Sequence, residues 1–353
     1  MSTRNVLPAA RRTPSDADWL VPASIFVALQ YSFAFGVSER IAYPPRPPVD
    51  AYLLLALVLA GVAATARILF VIAAMYLKGV ANPGQRLRQF AQDHWRAWLL
   101  FLAAFLLVAA QIGALTWLKA MLPFAVPFWA DPMLAQADRA ILGTDAWRLF
   151  HPLLEPIDPL IDWGYASWFP LKTCVLLWAL SKAPSFEKSR ALLGYFLMIG
   201  LFGVIGQYAL SSAGPIFYAR LGLGDQFKDL PISAVALRGS DYLWAARQDI
   251  HSPIGGGISA MPSVHVASSV WMAFACWTLL PRICGILATA FAVLVFVGSM
   301  YLGWHYFVDS VAGVLAGCAA WGLAGFYLCR NQEPVSMRLV SATLTRLARV
   351  KAS

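Results

Sequence analysis

Long apolar runs alternate along the chain with short polar joints. About 20 apolar residues in a helix cross the hydrocarbon layer of a bilayer. Eight windows read that way, at roughly 19–38, 51–78, 97–121, 160–182, 191–212, 263–280, 283–302 and 306–329. The pattern predicts an all-α fold, a polytopic membrane helix bundle of about eight transmembrane helices. Pro44-Pro45-Arg46-Pro47-Pro48 ends the first helix in a stiff turn, since proline lacks the N–H a helix interior needs. The first window is too long for a signal peptide and has no small-residue cleavage site, so a retained helix is expected. Asn82-Pro83-Gly84 marks a turn in a basic joint over 79–96, read as a loop. In the last window Gly313-x-x-x-Gly317 lets a neighbouring helix approach closely.

Five parts follow from this pattern: a polar tail (1–18), three N-terminal membrane helices (19–121), an external interfacial segment (122–158), a helical core (159–330) and a basic tail (331–353). Within 122–158, Leu134, Ala137, Ile141 and Leu142 recur at helical spacing, and Trp147, Leu149, Phe150 and Leu153 suggest a second amphipathic piece. An interfacial helix pair shaping lipid entry is one reading, and a plain external loop the other. The stretch 213–262 is a long external loop, a length that usually signals function.

Composition agrees with a membrane protein: hydrophobic residues are 59% and charged ones 13%. The net charge of +9 raises the question of nucleic acid, and its placement answers it. With the N-terminus taken as cytoplasmic, sixteen Lys and Arg fall in inside segments and nine outside, with Arg67 and Lys172 within helices. That bias predicts both termini in the cytoplasm and makes the basic surplus a topology signal rather than a nucleic-acid surface. The five cysteines lie in or beside apolar windows with no CxxC or Cys/His ligand spacing, which argues against a zinc site or a disulfide framework.

Candidate chemistry concentrates at 259–313. His265 and His305 start two apolar segments, and Asp309 follows His305 by four residues, on one helix face. The topology brings all three to one depth on the external side. An ionisable group at the edge of a membrane helix is costly and marks a functional site. A single histidine there is more often a structural hydrogen bonder; two with a carboxylate supply a nucleophile, an acid and an orienting group.

These residues resemble the type 2 phosphatidic acid phosphatase superfamily, and within it the branch of fungal inositol phosphorylceramide synthase and its bacterial relatives. The second motif of that superfamily, Pro-Ser-Gly-His, corresponds to Pro262-Ser263-Val264-His265. The third, Ser-Arg-x5-His-x3-Asp, corresponds to His305 and Asp309, with Gly298-Ser299 where Ser-Arg would stand. The first, Lys-x6-Arg-Pro, has no match, and Ser212-Ala213-Gly214-Pro215-Ile216-Phe217-Tyr218 resembles the Gly-Pro/aromatic element of the synthase branch.

The resemblance implies that His305 attacks phosphorus to give a phosphohistidine, that Asp309 orients its imidazole, and that His265 protonates the leaving oxygen and then activates the acceptor. It implies phospholipid and lipid-alcohol substrates and no metal or other cofactor. Ser263 and the amides opening its helix, with Pro262 in the first turn, could bind phosphate oxygens. Gly214, Pro215 and Tyr218 would line the substrate site. A doubly charged phosphomonoester rewards several Arg or Lys contacts, so the missing motif cations lean toward a phosphodiester donor and headgroup transfer between lipids, as in sphingolipid synthesis. Arg238, Arg247 or His251 on the external loop could fill the vacancy and restore a phosphatase acting on phosphatidic acid, a phosphatidylglycerol phosphate or an isoprenyl diphosphate. A lipid transporter using the same cavity is the non-enzymatic alternative.

Overall fold

The computed structural model describes residues 13–43, 49–247 and 255–332. Among them the elements in order are α1 (Ala17–Arg40), α2 (Val49–Leu77), α3 (Pro83–Ala125), α4 (Asp131–Leu142), α5 (Ala146–Leu154), α6 (Asp158–Ala166), α7 (Trp168–Ser181), α8 (Phe186–Leu197), α9 (Gly206–Ala209), α10 (Ala234–Ala246), α11 (Val264–Leu279), α12 (Arg282–Tyr301) and α13 (Phe307–Gln332). A π-helical stretch, Met198–Ile205, joins α8 to α9 in one rod, Phe186–Ala209. The fold is the expected all-α polytopic bundle. Among the described residues six helices are long and apolar enough to cross a membrane: α1, α2, α3, the α8–α9 rod, α12 and α13. α7 and α11, at 14 and 16 residues, are shorter.

Three sequence expectations change. The basic joint over 79–96 is a loop only as far as Asn82; Pro83 opens α3, which runs 43 residues. Proline suits a helix start, and Gln, Arg and Leu after it are good helix formers, so nothing stops propagation. The window 160–182 is not one helix. It divides at Ser167 between α6 and α7, because Pro170 has no N–H to continue the ladder and the Ser167 hydroxyl donates to the Gly164 carbonyl at 2.7 Å instead. The stretch 213–262 is not a plain loop, since it holds a 3-10 turn (Pro215–Phe217) and α10, capped by Ser233.

Lipid is as apolar as a leucine core, so these helices associate by close packing and interhelical hydrogen bonds rather than by escape from water. The interior is accordingly built on small residues, with Ala23, Ala191, Ala275 and Ala324 fully buried among Trp19, Tyr195, Trp271 and Trp321. Polar ties cross it: Trp271 Nε1 donates to the Ala191 carbonyl at 2.7 Å and Gln111 Nε2 to that of Phe196 at 2.9 Å. The Gly313/Gly317 expectation holds. A Cβ on Gly313 would lie 2.6 Å from the Ser263 carbonyl, and one on Gly317 2.7 Å from that of Ala267, so α13 rides directly on the backbone of α11.

α1 starts and α13 ends at one end of the bundle. The Lys188 ammonium at the start of α8 bridges Asp16 at 2.7 Å, and the Arg190 guanidinium donates to the Trp321 carbonyl at 3.1 Å. The first turns of α11 and α13 lie at the opposite end.

Candidate active site

Helix starts build this site. Ser263 is the N-cap of α11: its hydroxyl accepts from the Val266 N–H at 3.3 Å, and its own N–H donates to the Asp309 carbonyl at 3.1 Å. Pro262 therefore lies before the cap, not in the first turn. The next side chains of α11 include His265, half-buried against Trp168 (ring centroids 4.2 Å apart) and Tyr165 (5.1 Å). His305 lies in the turn between α12 and α13, 4% exposed, its N–H held by the Ser299 carbonyl at 3.0 Å. The two imidazole centroids are 5.9 Å apart.

Asp309, fully buried, sits in the first turn of α13. Its Oδ2 accepts from the Tyr306 N–H at 2.9 Å, the return half of a capping box. The same oxygen is 3.7 Å from His305 Nδ1, outside hydrogen-bond range. His305 Nδ1 and Asp309 Oδ1 are both buried without a hydrogen-bond partner. Buried polar atoms normally find partners, so an unpartnered imidazole nitrogen 3.7 Å from a carboxylate that also has an unpartnered oxygen marks a contact that a small rotation closes.

Gly214 and Pro215 abut the His305 turn. Gly214 has φ +101°, and a Cβ there would collide with the Trp304 carbonyl. The Ile216 N–H donates to the Gly303 carbonyl at 2.8 Å, fastening the 3-10 turn beside the site. Tyr218 is buried against Phe227, with ring centroids 5.0 Å apart, in a cluster that includes Tyr306. Arg238 is exposed on α10, and Arg247 stacks on Trp244 at 4.9 Å. Among the described residues, no hydrogen bond or ion pair joins either arginine to the histidines. His251 lies outside the described residues.

Four residues that sequence reasoning passed over organise the site. Asp131 and Asp138, two turns apart on α4, face the backbone at 213–214 and at the start of α13. Asp131 accepts from the Ala213 and Gly214 N–H groups, both at 2.8 Å, and from the Tyr306 hydroxyl at 2.9 Å. Asp138 accepts from Phe307 at 2.7 Å and Val308 at 3.1 Å, the orphan N–H groups of the first turn of α13. The Asp131-Pro132 helix start was legible; its targets, 175 residues away in the Tyr306 case, were not. The other two are cations. Lys172 on α7 holds its ammonium 4.2 Å from the ring centroid of Trp168, the ring that packs on His265, and Lys119 on α3 abuts Gly257, six residues before the His265 helix cap. A lysine inside an apolar window is itself a functional signal.

Burial pushes the Asp138 carboxyl up to about 6, outweighing the two N–H groups that favour its charge; burial also raises Asp131 against its own donors. The folded chain then holds the Asp138 proton more tightly than the unfolded one. Stability from this group is present below the ordinary carboxylate range and is lost as pH rises through about 6. The Tm of the wild type is expected to fall relative to Asp138→Asn between about pH 4 and 7, and parallel melting curves would count against the buried carboxylate.

Comparison with known proteins decides the lineage. The sequence profile described as the PAP2 superfamily matches residues 133–323, from α4 to near the end of α13. The chain belongs to the PAP2 superfamily. It is also similar to a PA-phosphatase related-family protein of Dictyostelium discoideum, 28% identical over 173 residues. That alignment covers 47% of this chain and only 30% of the relative, so the chain spans under a third of that protein. No solved structure matches. The PAP2 stretch contains both histidines, Asp309, Asp138 and Lys172, whereas Lys119 and Asp131 precede it. The PAP2 core in this chain is therefore completed by residues from outside the matched stretch.

The contact of α13 on α11 sets the spacing of the two histidines. Gly313→Leu is expected to force the helices apart and lower turnover by roughly 10²-fold, the cost of about 1 Å of misplacement. Gly322 on the same helix has open space around its Cα, so Gly322→Leu is the control expected to leave turnover near wild type. Equal rates for Gly313→Leu and wild type would show that this packing does not tune the site.

Proposed function

We propose that the protein is a membrane phosphotransfer enzyme acting on lipid phosphoesters through a phosphohistidine at His305. The observation that carries this reading is the convergence of His305, Asp309 and His265 where two helix starts meet. With Nδ1 turned toward Asp309, His305 keeps Nε2 for attack on phosphorus. The P–O bond to the lipid breaks, and His265 delivers a proton to the departing oxygen. In the return step His265 takes a proton from the acceptor, whose oxygen attacks phosphorus and releases His305. Asp309 steadies the imidazolium that forms.

The acceptor and donor divide two readings. The case for a singly charged phosphodiester rested on missing cations. Lys119 and Lys172 supply two, which favours a phosphomonoester donor and water as acceptor, a lipid phosphate phosphatase. The name of the Dictyostelium relative is in line with this. Headgroup transfer to a lipid hydroxyl, of the inositol phosphorylceramide synthase kind, is the second reading. Gly298-Ser299 in place of Ser-Arg favours it. By the charge bias, the site faces the extracytoplasmic side.

Purified protein in mixed micelles, with His305→Ala as blank, tests this. Phosphatidic acid is offered alone, and phosphatidylinositol is offered with fluorescent ceramide. Free phosphate from the first supports the phosphatase; a phosphorylated ceramide with diacylglycerol release supports the transferase. Replacing Lys119 and Lys172 by glutamine should raise KM for the phosphomonoester roughly tenfold or more, the scale of one lost charged hydrogen bond. No His305-dependent product from any lipid phosphoester would sink the proposal.

A further inference from the structure

A second site lies at the other end of the bundle. There a cavity of about 930 Å³ opens between α1, α2, α3 and α7. Its walls are apolar, with Leu20 from α1, Phe101 and Ala104 from α3, and Cys174 and Leu177 from α7. Its charged lining is mainly cationic: Arg67, Lys182 and Lys188 against the single carboxylate of Asp16, with His94 beside them. Asp16 is already taken by Lys188 at 2.7 Å. Among the described residues Arg67 and Lys182 have no carboxylate within salt-bridge distance, and the Lys182 ammonium lies over the Trp178 ring, 4.2 Å from its centroid.

The cations occupy one level. Asp16 precedes α1, Lys182 ends α7 and Lys188 begins α8, so Arg67 and His94 are beside the ends of three helices. Beyond that level α2 runs ten more residues to Leu77, and α3 begins eleven residues before His94. The α2–α3 hairpin therefore projects by about 15 Å past the other helices, at 1.5 Å per residue. Inward from the cations, the apolar walls run about 12 Å along α7 from Lys182 to Cys174. An arginine in the middle of an otherwise apolar stretch of α2 is costly unless something compensates it.

We propose that this cavity binds one anionic phospholipid, its headgroup phosphate between Arg67 and Lys182 and its acyl chains along Leu20, Phe101 and Leu177. The size is at the upper end for ligand pockets. Surplus positive charge above an apolar slot matches an anionic diacyl lipid and no soluble anion needs the slot. The basic residues at this end, Lys78, Arg86, Arg88 and Arg96 among them, mark it as the cytoplasmic face, where anionic headgroups are enriched. The site is separate from the histidines: Lys172 and Lys182 are ten residues, about 15 Å, apart on α7.

Native mass spectrometry of the full chain in detergent, titrated with phosphatidylglycerol or phosphatidylcholine of the same chains, tests the proposal. One phosphatidylglycerol should be retained at least tenfold more tightly than phosphatidylcholine. Arg67→Gln with Lys182→Gln should abolish the difference, while the Lys119/Lys172 glutamine variant keeps it. Ala97→Trp, which fills the cavity with its charges intact, should also lose the lipid. Equal retention of the two lipids overturns the proposal, as does phosphatidylglycerol binding unchanged by Ala97→Trp. Loss in the Lys119/Lys172 variant alone also overturns it, by assigning the lipid to the catalytic end. Displacement by inorganic phosphate at equal concentration would reduce it to a bare anion site and overturn it too.

Discussion

His305→Ala is expected to lower turnover by on the order of 10⁴-fold or more and to abolish any covalent phosphoenzyme. The imidazole has no substitute: its neighbours are His265, 5.9 Å away between centroids, and a buried carboxylate. His265→Ala should behave differently. Attack by His305 needs no proton transfer from His265, so a labelled phosphoenzyme should still form from a donor with a good leaving group, then persist because nothing activates the acceptor. The double variant should be no slower than His305→Ala, since residues that act as a unit are not additive. Alkaline quenching after incubation with a phosphorus-labelled lipid, which preserves the acid-labile N–P bond, reads all three. Label retained on His305→Ala would assign the nucleophile elsewhere.

The second large effect is on stability. Asp131→Ala removes an acceptor from three buried donors at once, the Ala213 and Gly214 amides and the Tyr306 hydroxyl. Each buried donor left unpaired costs about 1–3 kcal/mol, so a loss of about 3 kcal/mol or more is expected, lowering Tm by roughly 5–10 °C. Tyr306→Phe loses only one of the three bonds and should cost about 1 kcal/mol. The comparison is made by thermal melting in detergent. A mild Asp131→Ala with a severe Tyr306→Phe would mean that the tyrosine, not the carboxylate, holds the catalytic turn.

Asp131 and Asp138 also show why α4 is more than an amphipathic helix at a membrane surface. Its two carboxylates reach the 213–214 backbone and the start of α13, and so tie the external segment to the turn that carries His305. The α4–α5 helix pair expected from hydrophobic spacing is present. Helical spacing shows which face is apolar, but it cannot tell a lipid-facing carboxylate from one that caps a distant helix.

Much was legible in one dimension because the physics is local. A bilayer-length apolar run becomes a helix whatever its neighbours, the Gly313/Gly317 spacing marks a contact face, and His305 and Asp309 share a helix turn. The α6–α7 break at Ser167 was signalled by Pro170, yet the surrounding apolar run masked it. The grip on the substrate was sought in Arg238 and Arg247 because they lie on the external loop. Lys119 and Lys172 were missed because their closeness to His265 arises only when α3, α7 and α11 pack side by side.

The sequence alone determined the helical bundle, its charge bias and the placing of Asp309 one turn from His305, since each depends on composition or on spacing within a turn. Only the tertiary structure decided how His265 meets that pair, which carboxylates hold the His305 turn and that a cavity opens at the other end of the bundle. Those depend on which helix lies beside which, and packing between helices in lipid is set by shape and a few polar contacts that no local period encodes.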